Sequence, residues 1–435
     1  MKQTFFLISF LFTFAQSSLA QVQKNNPDSI AILFDEIKIA AKNHINLWHK
    51  DLYGPLLFVV PQTRELFANE PDTAGILKPN GTIYSGLLPT NVNIANTALS
   101  WGGKRWAMLM LPLSQHKQDR INLLAHELFH GAQPALGFSL LNAENNHLDQ
   151  KEGRIYLRLE LEALKQTLQA SSKKEVLQHL THALTFRKYR QQLYEGSSAS
   201  ENLLELNEGI AEFTGLIVSD RNKREATKSL TNGINNFFSN PTFVRSFAYH
   251  TTPVYGYLLY NKDKNWNKKI TDKTDLTAFF ITAFGIKTPA NLQQKVESIK
   301  NNYNGETIID EETTRAENTK KLLAEYMSKF VEQPHFVLKF EKMNVSFDPR
   351  NIVPLADKGT VYPNIRVTDV WGVLTVENGA LMHPNWDKLS ITNPTSITLE
   401  KITGDGWVLE LTAGYAVAKD EKSQNYTLIK RTNSN

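Results

Sequence analysis

The sequence predicts an α+β fold, in which a mainly helical region with a small mixed sheet precedes a C-terminal all-β domain. Apolar residues recur at helical spacing over most of residues 114–334. From His335 onward, short apolar runs alternate with Gly, Pro, Asn and Asp, which is typical of strands joined by turns. A chain of 435 residues is also too long for one small domain and indicates two or three.

Composition limits the classes of function. With 41% hydrophobic and 21% charged residues, the chain can bury a sizeable core. A net charge of +4, spread evenly, argues against nucleic acid as a partner. Because cysteine is absent, any metal site must be built from histidines and carboxylates. The oligomeric state stays open.

The first twenty residues are predicted to be a secretory signal peptide. Lys2 gives a positive start, residues 5–15 are apolar, and small residues lead to a cleavage point after Ala20. The apolar run is short for a membrane span, and no later segment is long enough to cross a bilayer. We therefore expect an exported protein, periplasmic or extracellular, without a transmembrane span in the mature chain.

Residues 21–113 are predicted to form a mixed N-terminal part. Asn26 and Pro27 mark the start of a helix that reaches about Lys50. A buried strand is expected at 56–60, and residues 62–90 are expected to be rich in loops. The final prediction is a hairpin of residues 93–100 and 105–113, which either binds an extended peptide by strand addition or is an ordinary part of a sheet.

Residues 114–334 are predicted to be the helical catalytic part. Alternating leucines in 153–169 resemble a strand, but the Leu, Glu, Lys and Ala content favours helix. Composition shifts at Gln333-Pro334, so the domains are predicted as residues 21–334 and a β domain of residues 335–435. Further helices are expected over 173–194, 203–218 and much of 222–334.

The motif His126-Glu127-x-x-His130 is the strongest chemical signal in the chain. On a helix, His126 and His130 stand one turn apart on one face and can bind one metal ion. Ile121, Leu124 and other apolar residues form a stripe on the opposite face, which supports the helical interpretation.

Two histidines need a third protein ligand to form a catalytic zinc site. Glu208, on a predicted helix, is the best candidate, and Glu212 and Glu160 are its rivals. One turn beyond Glu208, Glu212 can accept a hydrogen bond from the far nitrogen of a zinc-bound imidazole. His126, His130 and Glu208 would then hold Zn²⁺.

Zinc bound in this way would lower the pKa of its water towards about 7. Glu127 can act as general base for attack on a carbonyl and return the proton to the leaving amine. Tyr249 is the first choice as hydrogen-bond donor to the oxyanion, with Tyr255 and His250 in reserve.

The His-Glu-x-x-His motif and the Asn-Glu-Gly-x-Ala motif of residues 207–211 together resemble the gluzincin metallopeptidases, which include thermolysin-like enzymes and aminopeptidases. The resemblance implies a zincin-like domain, bound Zn²⁺, and a peptide or protein substrate. It assigns His126, His130 and Glu208 as zinc ligands and Glu127 as catalytic base.

The same resemblance extends to two further positions. Glu212 matches the supporting carboxylate of thermolysin-like enzymes, and Tyr249 matches the tyrosine that polarises the substrate carbonyl in aminopeptidases. Blocks around 186–215 and 247–260 are similar to uncharacterised, exported bacterial zinc-peptidase-like proteins.

Two departures from the family limit what it implies. Glu208 follows His130 by 78 residues, so an inserted helical segment must fold back beside the motif. The Gly-x-Met-x-Asn strand of aminopeptidases is absent, so a free N-terminus is not the expected specificity. The alternatives are a zinc hydrolase acting on another substrate, or an envelope binding or scaffold protein that keeps zinc structurally.

Overall fold

The computed structural model describes residues 26–90, 92–139, 141, 143–347 and 351–431. The predicted signal peptide lies outside these residues, and its cleavage stays a prediction. The α+β class is confirmed: the α-helices and a six-stranded sheet lie before residue 335, and strands predominate after it. The chain divides into two compact units, one running to Gln133 with residues 218–220, the other comprising 134–217 and 221–435. Among the described residues, no helix is both long and apolar enough to cross a membrane.

The first unit combines two helices with a six-stranded mixed sheet of order β3-β4-β2-β1-β6-β5. Strands β1 and β6 pair in parallel, and the other neighbours are antiparallel. The elements are α1 (Pro27–Asn43), β1 (Leu56–Val59), β2 (Glu65–Ala68), β3 (Lys78–Asn80), β4 (Ile83–Leu87), β5 (Thr97–Trp101), β6 (Lys104–Met110) and α2 (Lys117–Ala132).

Most of residues 62–90 are loop, as expected, but three short strands, β2, β3 and β4, also lie there. These strands are only three to five residues long, and β3 consists of Lys78-Pro79-Asn80, residues more typical of turns. Pairing across the sheet forms them, and that pairing cannot be seen in a local pattern.

Helix α2 carries the His-Glu-x-x-His motif and is anchored by its apolar face. Leu124 and Phe129 are fully buried, and the Phe129 ring lies 5.1 Å from that of Trp48. The helix begins at Lys117, after His116. Just before the helix, the Ser114 hydroxyl oxygen accepts a hydrogen bond from the backbone N–H of His116.

The helical part of the second unit includes a long antiparallel pair, α3 and α4, with a capping box at the start of α4. The single helix predicted over 203–218 is interrupted by a π-helical turn, Glu205–Gly209. The helices are α3 (Lys151–Gln169), α4 (Lys173–Leu193), α5 (Ser197–Leu204), α6 (Ile210–Val218), α7 (Lys223–Phe237), α8 (Ala248–Lys262), α9 (Leu276–Phe284), α10 (Leu292–Ile299) and α11 (Gly305–Met327).

From His335 the chain forms two packed sheets around Trp371, Trp407 and Phe336. Their orders are β18-β19-β7-β14-β13-β10-β9 and β15-β16-β17-β12-β11-β8. The strands are β7 (His335–Lys339), β8 (Asn344–Phe347), β9 (Val353–Pro354), β10 (Thr360–Tyr362), β11 (Ile365–Asp369), β12 (Gly372–Val376), β13 (Ala380–Met382), β14 (Lys388–Thr392), β15 (Pro394–Ile397), β16 (Lys401–Gly404), β17 (Trp407–Leu411), β18 (Tyr415–Lys419) and β19 (Tyr426–Lys430).

A buried histidine on α4 makes the stability of the second unit depend on pH. His182 lies with its Nδ1 atom 2.8 Å from the Tyr303 hydroxyl. Burial, aided by the charge of Lys295, lowers its pKa from 6.5 to about 4. At a pH between these two values, the unfolded chain binds a proton at this histidine that the folded chain does not. The contribution of His182 to the free energy of unfolding is therefore fully present above pH 6.5 and is lost as the pH falls towards 4.

We expect His182→Asn to reduce this acid sensitivity. Asparagine keeps an acceptor near the position of Nδ1 but does not titrate in this range. The fall in Tm between pH 7 and pH 4.5 should therefore be smaller in the variant than in the wild type. Melting curves across this range check the prediction, and parallel pH profiles for the two proteins would contradict it.

Candidate metal centre

The two histidines of α2 converge on one point. Their Nε2 atoms lie 3.1 Å apart, and their rings are nearly perpendicular, at 78°. Two imidazole nitrogens bound to one tetrahedral zinc ion at about 2.0–2.1 Å are separated by roughly 3.3 Å. The spacing of His126 and His130 therefore fits two ligands of one tetrahedral metal ion.

Gln133 fixes the chemical form of His130. Its side-chain oxygen lies 2.7 Å from His130 Nδ1, and the residue is fully buried. Because an amide oxygen can only accept, Nδ1 carries the proton and Nε2 keeps its lone pair. Gln133 was not predicted as a site residue, although its position three residues after His130 indicates that its side chain can lie beside the imidazole of that histidine.

Glu127 follows His126 on α2 and is only 6% exposed. Its burial keeps most bulk water away from the carboxylate. A carboxylate next in sequence to a metal-binding histidine can exchange a proton with a group held near that histidine.

The π-turn of residues 205–209 carries Glu208, which is half-buried. The Tyr249 hydroxyl donates a 2.5 Å hydrogen bond to Glu208 Oε2, and the Asn207 amide lies 3.4 Å from Oε1. Sequence reasoning named Glu208 and Tyr249 separately, and the structure brings these two side chains into direct contact.

Close backbone packing produces this contact. A Cβ atom on Gly209 would lie 2.4 Å from Thr252 Oγ1, closer than the Cβ atom of a real residue comes to a neighbouring heavy atom. Glycine at residue 209 therefore lets α8 lie directly against the π-turn. That approach sets Tyr249, in the first turn of α8, beside Glu208.

His126 and His130 offer two imidazole nitrogens as ligand atoms, and Glu208 offers a carboxylate. Two imidazoles and a carboxylate are a donor set that zinc accepts. These residues would hold the ion, with the remaining coordination position left for water or substrate.

The rival third ligands have other surroundings. Glu160 is fully buried and accepts hydrogen bonds from Arg187 and Arg190, both at 2.7 Å, so its oxygens are committed. Glu212 is half-buried near His250. Its predicted support of a zinc-bound imidazole stays a prediction.

The reserve oxyanion donors are less suitable than Tyr249. Tyr255 is fully buried and its hydroxyl donates to Glu160, while burial and that carboxylate raise its pKa well above the usual value. The His250 ring packs 4.6 Å from Phe237, and burial lowers its pKa to about 4. His250 is therefore neutral near pH 7.

Comparisons with models of protein families, with curated proteins and with solved structures found no match.

Proposed function

We propose that the chain is an exported zinc-dependent metallopeptidase. The observation that carries the proposal is the pair of Nε2 atoms of His126 and His130, 3.1 Å apart, with Gln133 holding one ring in the metal-binding tautomer. Two imidazole nitrogens bound to one metal ion lie at about this separation, and the contact with Gln133 leaves the lone pair of His130 on Nε2.

Glu208 is proposed as the third ligand. Its contact with Tyr249 supports this assignment, because a carboxylate that ligates a metal is usually hydrogen-bonded in turn. Bound zinc would acidify a coordinated water and polarise a substrate carbonyl. Three protein ligands would leave the open position that catalytic zinc sites keep and structural sites lack.

The residues around the zinc would divide the work of hydrolysis. Glu127 would accept the proton of the attacking water and return it to the leaving amine. Tyr249 donates its one hydroxyl proton to Glu208 Oε2 in this structure. During hydrolysis the hydroxyl would turn from Glu208 and donate this proton in a hydrogen bond to the carbonyl oxygen as that oxygen gains negative charge. The nucleophile would be water rather than a side chain.

A peptide substrate is supported by the resemblance to gluzincins and by the sheet of the first unit. Among the described residues, β5 is an edge strand of that sheet, so its unpaired edge can form backbone hydrogen bonds with an extended peptide. Helix α2 packs against β5 and β6, which brings the histidine motif near this edge.

Removing the metal should abolish the activity. We expect the purified mature chain to contain about one zinc ion, as one set of three ligands implies. It should hydrolyse casein or unstructured peptides, lose this activity after dialysis against a chelator, and regain it with added Zn²⁺. Elemental analysis and a fluorescent peptide assay measure both properties.

The outcomes separate the alternatives. A chain that binds zinc but cleaves no peptide, with four protein ligands seen by X-ray absorption, would favour the structural-zinc scaffold. Cleavage of esters or other electrophiles without peptide cleavage would favour the non-peptide hydrolase. A chain that binds no zinc would contradict the proposal altogether.

A further inference from the structure

Five charged side chains lie completely inside the second unit, next to the π-turn. The two arginines on α4 are both fully buried, and so are three glutamates contributed by α3, α5 and the π-turn. The members of this buried charge cluster are Arg187, Arg190, Glu160, Glu201 and Glu205.

The cluster is fully hydrogen-bonded at its centre. Arg187 donates to both oxygens of Glu205, at 2.7 and 3.0 Å, and to Glu160 at 2.7 Å. Burial alone would lower the pKa of Arg187, but the two carboxylates outweigh it and raise that pKa well above the usual value. Arg187 therefore stays charged, and Glu205 is held in one orientation.

Glu205 also joins the π-turn to α8. The Thr251 hydroxyl donates a 2.6 Å hydrogen bond to Glu205 Oε1. Glu205 is the first residue of the π-turn that carries Glu208, and Thr251 follows Tyr249 by two residues. The same two segments therefore meet twice, at Glu205–Thr251 in the core and at Glu208–Tyr249 closer to the surface.

We propose that Thr251 is a positioning residue for the metal centre, acting through Glu205. Its hydrogen bond fixes α8 against the π-turn, and this sets the Tyr249 hydroxyl against the ligand Glu208. The inference rests on the proposed function for its zinc readout, but the contact that it explains belongs to the chain alone.

The test compares two substitutions at one position. Thr251→Val has nearly the same shape and removes only the hydroxyl, whereas Thr251→Ser retains it. We expect Thr251→Val to bind zinc about tenfold more weakly than wild type. This is the lower end of the loss of metal affinity seen when a residue that supports a metal ligand is substituted. Thr251→Ser should bind zinc within about twofold of wild type. Competition with a chromophoric chelator measures the affinity.

Thr167→Val is the matched control. Thr167 is also a buried helical threonine, but its hydroxyl donates to the Ala163 carbonyl within α3 and contacts no carboxylate of the cluster. We expect a loss of Tm in this variant with unchanged zinc affinity. If Thr167→Val weakens zinc as much as Thr251→Val, or if Thr251→Val binds zinc like wild type, Thr251 does not position the ligand.

A second measurement needs no metal. In the zinc-free protein, Tyr249→Phe should lower Tm in the wild-type background, and its effect should be at least halved in Thr251→Val, because the two hydrogen bonds are coupled. Equal Tm shifts in both backgrounds would overturn the positioning role. A wild-type chain that binds no zinc but shows the coupling would refute only the proposed function.

Discussion

Glu127→Gln is expected to bind zinc like the wild type and to lose peptide hydrolysis by a factor of about 10²–10⁴, the usual contribution of a general base. Glutamine has the shape of glutamate, so the buried position of this side chain next to His126 is preserved. It cannot accept a proton from the attacking water. The loss should therefore appear in kcat, with little change in KM.

Glu208→Ala is the contrasting variant, because it removes a proposed ligand rather than the base. We expect its zinc content to fall sharply, and activity with it. Zinc analysis and initial rates, measured on the same preparations, separate the two roles. Full zinc occupancy in Glu208→Ala would move the third ligand elsewhere, and a fully active Glu127→Gln would remove the general base from the mechanism.

Arg187→Met should lower the free energy of unfolding more than any other single substitution proposed above. The substitution removes both arginine hydrogen bonds of Glu205, which is 1% exposed, and leaves Glu160 with Arg190 and the Tyr255 hydroxyl. Breaking a buried ion pair in this way lowers the free energy of unfolding by about 3–5 kcal/mol. Urea unfolding followed by circular dichroism measures it.

Two further variants test the cause of that loss. Adding Glu205→Gln to Arg187→Met should restore part of the stability, because a neutral amide is cheaper to bury than an unpaired carboxylate. Lys269→Met removes an exposed pair with Asp263, at 2.6 Å, and should change stability by less than about 1 kcal/mol. A loss in Lys269→Met equal to that in Arg187→Met would contradict the argument from burial.

Those parts of the fold that depend on local pattern could be predicted from the sequence. The start of α1 at Pro27, the α3 and α4 helices and the strands after His335 follow from capping residues and apolar periodicity. The short strands of residues 65–87 could not be predicted, because they form only through pairing with their neighbours.

The candidate site divides in the same way. His126, Glu127 and His130 lie within about one turn of helix, so their spacing alone predicts that they belong to one site. Glu208 belongs to a second motif, far from the first in sequence. Its rival Glu160 is excluded by hydrogen bonds from Arg187 and Arg190, which the sequence does not reveal. The Tyr249–Glu208 contact depends on how α8 packs against the π-turn, and no spacing in the sequence encodes that distance.

The π-turn gives one helical segment two acidic faces. Glu201, Glu205, Glu208 and Glu212 are spaced by four, three and four residues. At roughly 100° per residue, a continuous α-helix would place all four carboxylates along a single stripe.

The wide turn over residues 205–209 rotates the later pair away from the earlier one. Glu201 and Glu205 consequently face the core and neutralise arginines, whereas Glu208 and Glu212 remain half-buried. Four identical side chains thus perform two kinds of work, ion pairing in the interior and, as proposed, metal binding and its support. The one extra residue in the π-turn separates these two roles.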